Sequence, residues 1–234
     1  MESKEIIKSI NKIYEDYFIP LNLRRHMIFT AGVADQICNA YNKQECNKYG
    51  CNKSIDAENV IATCLIHDLG NIVKMDFTNS SKNNLLEALD RNRLEFFIEK
   101  QKEFFTKYGQ NDTIANNLIA KEIGANKRVI FLLENKEIQK LNKSFWNNDL
   151  GLAIFAYSDL RVAPYGVTSM QERLGDFYKR YNLNKSEVAI AHSEKFVKFA
   201  KNLEKEIFKN VLIKPEDITN ESIQEFVTKF NVVN

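Results

Sequence analysis

The sequence predicts an all-α protein, a single helical bundle of roughly nine or ten helices, because apolar residues recur at three- and four-residue steps along most of the chain. Glycine and proline point the same way. Eight Gly and three Pro in 234 residues are too few for an all-β chain, which needs a turn about every eight to twelve residues and φ > 0 positions to make it. No segment alternates apolar and polar residues between hairpin turns, and no self-similarity marks a repeat protein.

Taken in order, Ile6, Ile7, Ile10, Ile13, Tyr14 and Tyr17 form the stripe of a first helix that stops before Pro20. A second stripe, Leu23, Met27, Ala31, Ala34, Ile37 and Cys38, runs to about Tyr41 and gives way to a polar stretch, 42–54, expected as a loop. Asp56 is placed to cap a helix through Val60, Ile61, Cys64, Leu65 and His67, with Gly70 suited to the position just past its end. One long pattern extends from Leu85 to Tyr108 and stops at Gly109. Asp112 or Thr113 caps a helix from Ile114 to Ile123, which Gly124 breaks. Val129–Leu133 reads as a short helix, although its composition also suits a strand. Leu150–Leu160 is strongly apolar and precedes a punctuated loop, Arg161-Val-Ala-Pro-Tyr-Gly-Val167. Helices near 169–182, 186–209 and 219–230 complete the chain, the last introduced by Pro215. One domain over 1–234 is expected.

Charge narrows the partners. Lys and Arg number 33 against 31 Asp and Glu, and the signs alternate, so no long-range field gathers nucleic acid polymers or anionic membranes. The opening Met1-Glu-Ser-Lys-Glu-Ile-Ile7 has no apolar signal region, and no run of about 18 uncharged apolar residues exists. A cytoplasmic location is the expectation. Four cysteines, at 38, 46, 51 and 64, are then expected as reduced thiols; a zinc knuckle from Cys38, Cys46 and Cys51 lacks a fourth ligand.

Chemistry concentrates in His67-Asp68, at the end of an apolar helix. A neutral imidazole nitrogen and a carboxylate oxygen can share one divalent ion. Two more residues sit in similar apolar settings, His26 in Leu23–Ala34 and Asp159 in Ala153–Val162. An ionised Asp in such a run is costly unless paired or metal-bound. The structural alternatives are an Asp159 pair with Arg161 or Arg173 and a His26 that bonds a neighbour.

The order His26, His67-Asp68, Asp159 resembles the HD-domain metal-dependent phosphohydrolase superfamily, whose pattern is H…HD…D on an all-α scaffold. The resemblance covers about 20–182 as an HD-like core, leaving about 183–234 as a C-terminal helical extension. It implies one divalent metal ion (Mn, Mg, Co, Ni, Fe or Zn) held by His26, His67, Asp68 and Asp159, and hydrolysis of a small phosphorylated substrate, a nucleotide for preference, by metal-activated water. With no His between His67 and Asp159, a mononuclear site is expected. Asn71 stands where nucleotidase-type members have Glu and where many signalling phosphodiesterases have Lys after HDIG, and the Glu-Asp pair of alarmone hydrolases is absent, so none of those activities carries over.

Phosphoryl transfer needs cations against developing charge. The candidates are Arg24, Arg25, Lys74, Arg161 and Arg173, with Arg161 the first choice because it follows Asp159 by two residues at the mouth of the Pro164–Gly166 loop. No separate general base stands out. Asp68 could be ligand and proton acceptor together, with Asp76 and Glu122 as outside candidates. His192 and the aromatics Phe96, Phe97, Phe104, Phe105 and Phe131 are expected in packing. The rival class is a non-catalytic HD-like helical module that binds a metal or nucleotide for regulation; a purely structural helical protein is the third.

Overall fold

The computed structural model describes residues 3–49, 54–78, 86–136, 149–181, 187–209 and 211–231, with side chains except in 3–8, 45–49, 177–181 and 187–193. Among them are eleven α-helices: α1 (Ser3–Asp16), α2 (Leu21–Tyr49), α3 (Ala57–Ile66), α4 (Ala88–Arg91), α5 (Leu94–Tyr108), α6 (Asp112–Glu122), α7 (Lys127–Glu134), α8 (Leu150–Leu160), α9 (Met170–Tyr181), α10 (Glu187–Phe208) and α11 (Gln224–Thr228). The all-α expectation holds. No described helix is long and apolar enough to cross a membrane.

The centre of the molecule is α2, whose Met27, Ala31, Val33, Ala34, Ile37 and Cys38 are fully buried. It packs against α3, α8, α11 and the hairpin described below. Its entry is fastened from two sides. Arg24 closes the exit of α1 by donating from Nε to Ile19 O (2.6 Å) and from Nη2 to Tyr14 O, so it is a structural staple and not a phosphate ligand. Asp90, from α4, accepts the Leu21 N–H at the α2 N-terminus. That cap explains why the pattern 85–108 is not one helix: Asn92 and Arg93 turn the chain so that Asp90 can face α2 while α5 restarts at Leu94.

Polarity misled the boundary at the other end of α2. The stretch from Asn42 stays helical to Tyr49, because Lys43, Gln44 and Glu45 are good helix formers and a polar run does not itself break a helix. Asn42 donates to Ile55 O (3.0 Å) and accepts Ile55 N–H (2.7 Å), which fixes where the chain returns. Asp56 then caps α3 as expected, accepting from Asn59 N at 3.2 Å. Cys38 and Cys64 are buried free thiols between these helices, and burial pushes the Cys38 thiol up to about 12, which leaves it inert. Cys51 and the Cys46 side chain, and with them the zinc-knuckle question, lie outside the described residues, as does the His192 side chain.

After α3 the chain enters a tight 3-10 turn, Leu69–Lys74, that presses on α6 and α5. Gly70 belongs inside this turn, not at a helix C-terminus. Asn111 caps α6 by accepting Ile114 N–H (2.9 Å), one residue before the expected cap, and Asn126 caps α7 the same way. Val129–Leu133 is helical: Val129, Leu132 and Leu133 are buried while Phe131 is exposed, a one-sided pattern that a strand of this length would split between two faces. Asp149 caps α8 and receives two 2.7 Å hydrogen bonds from Arg128. Every residue of α8 except Asp159 and Leu150 is buried.

The loop after α8 contains a two-stranded antiparallel hairpin, β1 (Val162–Ala163) and β2 (Gly166–Val167). Gly166 takes φ +128, open to glycine at little cost. Only Gln224–Thr228 of the expected last helix is α-helical. Ile223 and Phe226 rest on the bare backbone of Gly32 in α2, tying the C-terminal segment into the core that extends from Ile10 to Phe230.

Candidate metal centre

Three packed helices deliver the four residues singled out in the sequence. His26 comes from the second turn of α2, His67 and Asp68 from the end of α3, and Asp159 from the last turn of α8. Regular helical geometry would point His67 and Asp68 about 100° apart. The chain solves this by leaving the helix between them: His67 keeps αR angles (φ −68, ψ −19) whereas Asp68 sits at φ −122, ψ 19.

Their ligand atoms converge. His26 Nε2 lies 3.2 Å from His67 Nε2 and 3.0 Å from Asp159 Oδ1. Asp68 Oδ2 is 3.8 Å from His26 Nε2 and 3.6 Å from His67 Nε2, while Asp159 Oδ1 is 3.4 Å from His67 Nε2. Atoms about 2.1 Å from one ion stand about 3.0 Å apart on an octahedral edge and about 3.4 Å on a tetrahedral one. The separations among His26, His67 and Asp159 (3.0–3.4 Å) match these edges, and Asp68 stands slightly farther from both imidazoles, at 3.6–3.8 Å.

Tautomer and charge agree with an ion between them. His67 Nδ1 is 2.7 Å from Cys64 O. A carbonyl only accepts, so Nδ1 carries the proton and Nε2 of the neutral ring presents a lone pair to the cluster, the usual arrangement behind a metal-binding histidine. Burial lowers the affinity of His67 for a second proton, yet Asp68 and Asp159 outweigh it and raise its pKa. Burial likewise pushes both carboxyls up, but the imidazoles, with Lys136 at Asp68, hold them ionised well below the usual range. Two carboxylates that stay charged and raise the pKa of the His67 ring mark a place for positive charge. His26, His67 and Asp68 offer two imidazole nitrogens and a carboxylate oxygen within 4.8 Å of one another, a group that could hold a borderline or hard divalent ion, and Asp159 adjoins it through the imidazoles. His67 is wholly buried, His26 and Asp68 nearly so, and the Asp159 side chain is 39% exposed, so the site opens on its Asp159 side.

The basic residues expected around it fare differently. Asp159 turns to the imidazoles instead of Arg161 or Arg173. Arg161 is buried and points away: its guanidinium donates to Thr168 O, the Tyr157 hydroxyl, Pro215 O and Ile218 O. It joins α8, the hairpin and the C-terminal segment, beside a cavity of about 500 Å³ lined also by Thr168, Glu204 and Asn220. Its proposed phosphate role is corrected by that geometry, since acceptors away from the cluster already take four of its five hydrogens. Arg161→Met should therefore cost about 3 kcal/mol by orphaning buried carbonyls, read as a lower urea midpoint, with metal stoichiometry unchanged; loss of the metal with full stability would return Arg161 to the site.

Arg173 is buried and pairs with Asp176 at 3.0 Å. Lys74 pairs with Asp112 and Arg25 with Glu87, both at 2.7 Å. Asp76 accepts from Thr78, and Glu122 from Lys107 and Tyr108; neither bonds to the cluster. The cation that does was missed. Lys136, just past α7, donates to His67 O (2.8 Å) and to Asp68 Oδ1 (3.2 Å), and nothing in its sequence surroundings links it to a dipeptide 68 residues upstream. No protein-family model matches this chain, and neither a curated protein nor a solved structure does.

Proposed function

We propose that the protein is a mononuclear metal-dependent phosphohydrolase of HD type acting on a small phosphorylated metabolite, with nucleotides the first class to test. The observation that carries this reading is the convergence of His26, His67 and Asp68, whose ligand atoms all lie within 4.8 Å of one another, with Asp159 Oδ1 at 3.0 Å and 3.4 Å from the two imidazoles. A divalent ion held there would supply Lewis-acid chemistry, polarising a phosphoryl oxygen and activating water for attack.

The residues divide the remaining work. The Nδ1–H···O bond of His67 to Cys64 holds the ring in the tautomer that keeps Nε2 free. Asp68 is committed on both oxygens, Oδ2 to the cluster and Oδ1 to Lys136, which leaves it poorly placed as a proton acceptor. Asp159, with Oδ1 toward the imidazoles and its carboxylate at the open side, is better placed to receive a proton at Oδ2 from the attacking water. The walls of α2, α3 and α8 exclude solvent from the other faces.

Elemental analysis followed by a phosphate-release panel of mono- and polyphosphates with Mn²⁺, Mg²⁺, Co²⁺ or Ni²⁺ tests the reading. One ion per chain and metal-dependent release are expected. Exhaustive chelation should lower the melting temperature by about 5–10 °C relative to protein with ion at 100 times its Kd, since such an excess stabilises by about 2.7 kcal/mol. Release unaffected by chelation would overturn the proposal. Stoichiometric ion with no turnover would instead select the regulatory module.

A further inference from the structure

We propose that Lys136 is the second cation of this site and binds the substrate's phosphoryl group, an inference that rests on the metal reading above. Three observations carry it. The Asp68 carboxylate is split between two positive positions, Oδ2 toward the imidazole cluster and Oδ1 at 3.2 Å from Lys136 Nζ. The ammonium is anchored by the His67 carbonyl at 2.8 Å, so it is held beside the cluster and not merely near it. An ammonium has three donors. His67 O and Asp68 Oδ1 take two, and the side chain retains 18% exposure, so among the described residues the third donor is left for a ligand.

Charge arithmetic shows why the site needs it. Asp68 and Asp159 contribute −2 and a divalent ion +2, so the occupied centre is neutral without Lys136 and +1 with it. A neutral centre has little to hold an anionic phosphoryl group as charge builds up in displacement. The neighbouring Lys74–Asp112 pair cancels itself. In a two-metal site the second ion supplies this positive charge; here the Asp68 carboxylate lies between the proposed ion position and an ammonium, which needs no loading and gives a compact point charge.

The test uses the whole chain with Mn²⁺, read by water-proton relaxation, and inorganic phosphate as the probe. Wild type should bind one Mn²⁺, and phosphate should change the relaxation as it displaces water. Lys136→Met should weaken phosphate binding at least about tenfold, the loss of one charge-assisted hydrogen bond, while Mn²⁺ affinity stays within about threefold. Lys136→Arg should restore most of the phosphate affinity. Should Lys136→Met not fold, Lys136→Gln is compared in the same way. Unchanged phosphate affinity in the folded variant would overturn the proposal. So would loss of Mn²⁺ together with phosphate, which would make Lys136 a positioning residue for Asp68 alone. Absence of Mn²⁺ from wild type would overturn the metal reading first, and this inference with it.

Discussion

Asp68→Ala is expected to weaken divalent-ion binding by well over 100-fold and to abolish any metal-dependent release of phosphate. Loss of a residue that only orients a ligand costs about 10- to 100-fold in affinity, and Asp68 is itself placed as a ligand. It is also the charge that the surroundings cannot replace. Its side chain is 14% exposed, so water reaches the gap poorly, and its removal leaves Asp159 as the cluster's one carboxylate against two imidazoles and the Lys136 ammonium. Removing −1 beside Lys136 turns an attractive pocket for a cation into a nearly neutral one. The variant should also lose stability, because Lys136 keeps only the His67 carbonyl as partner, and unpairing a poorly solvated charge is expensive. Equilibrium dialysis against Mn²⁺ separates the effects: Asp68→Asn preserves volume and should fold, yet lacks the charge and should fail to hold the ion. Asp159→Asn, at the open side, should fail more mildly. An Asp68→Asn protein that retains Mn²⁺ with wild-type affinity would show that these four side chains do not form one site.

Helical periodicity made most of the elements legible, because burying one face imposes a three- and four-residue spacing that survives in the sequence. The candidate cluster was legible for a related reason: ionisable residues on apolar helical faces violate that spacing, and His67, Asp68 and Asp159 do so openly. Their convergence depends on how α2, α3 and α8 pack, which no local pattern states. What failed to show in the sequence is tertiary. Asp90 breaks a continuous helical pattern in order to cap a helix 69 residues earlier. Polar composition at 42–49 signals solvent exposure as readily as a loop. Arg161 drew attention through its closeness in sequence to Asp159, but side chains two apart on a helix point to different faces. Lys136, surrounded by other lysines and polar residues, carries no local mark of its partner.

Gly70→Ala is expected to cost more than about 4 kcal/mol, lowering the melting temperature by roughly 10 °C or more. The reason is space, not conformational freedom, since Gly70 is not among the residues with positive φ. A Cβ there would stand 2.4 Å from Asn116 N, 2.5 Å from Asp112 O and 2.9 Å from Asn116 Cα. All three are backbone atoms of α6, which cannot swing aside as a side chain does; the whole helix or the whole 3-10 turn must move by about an ångström. Either movement breaks the Gly70 N–H···Oδ1 bond to Asn116 and opens a packed contact where both partners are buried. The same movement reaches the site, because Gly70 lies two residues beyond Asp68 in the turn that aims its carboxylate. Metal affinity should therefore fall in Gly70→Ala together with stability. Gly175→Ala is the control: a Cβ there meets nothing within 4 Å, and alanine is the better helix former, so it should be neutral or stabilising by up to about 1 kcal/mol with unchanged metal affinity. If urea titration finds the two alanine variants equally stable, the contact between the 3-10 turn and α6 is looser than these distances require, and the rigid support it gives to Asp68 goes with it.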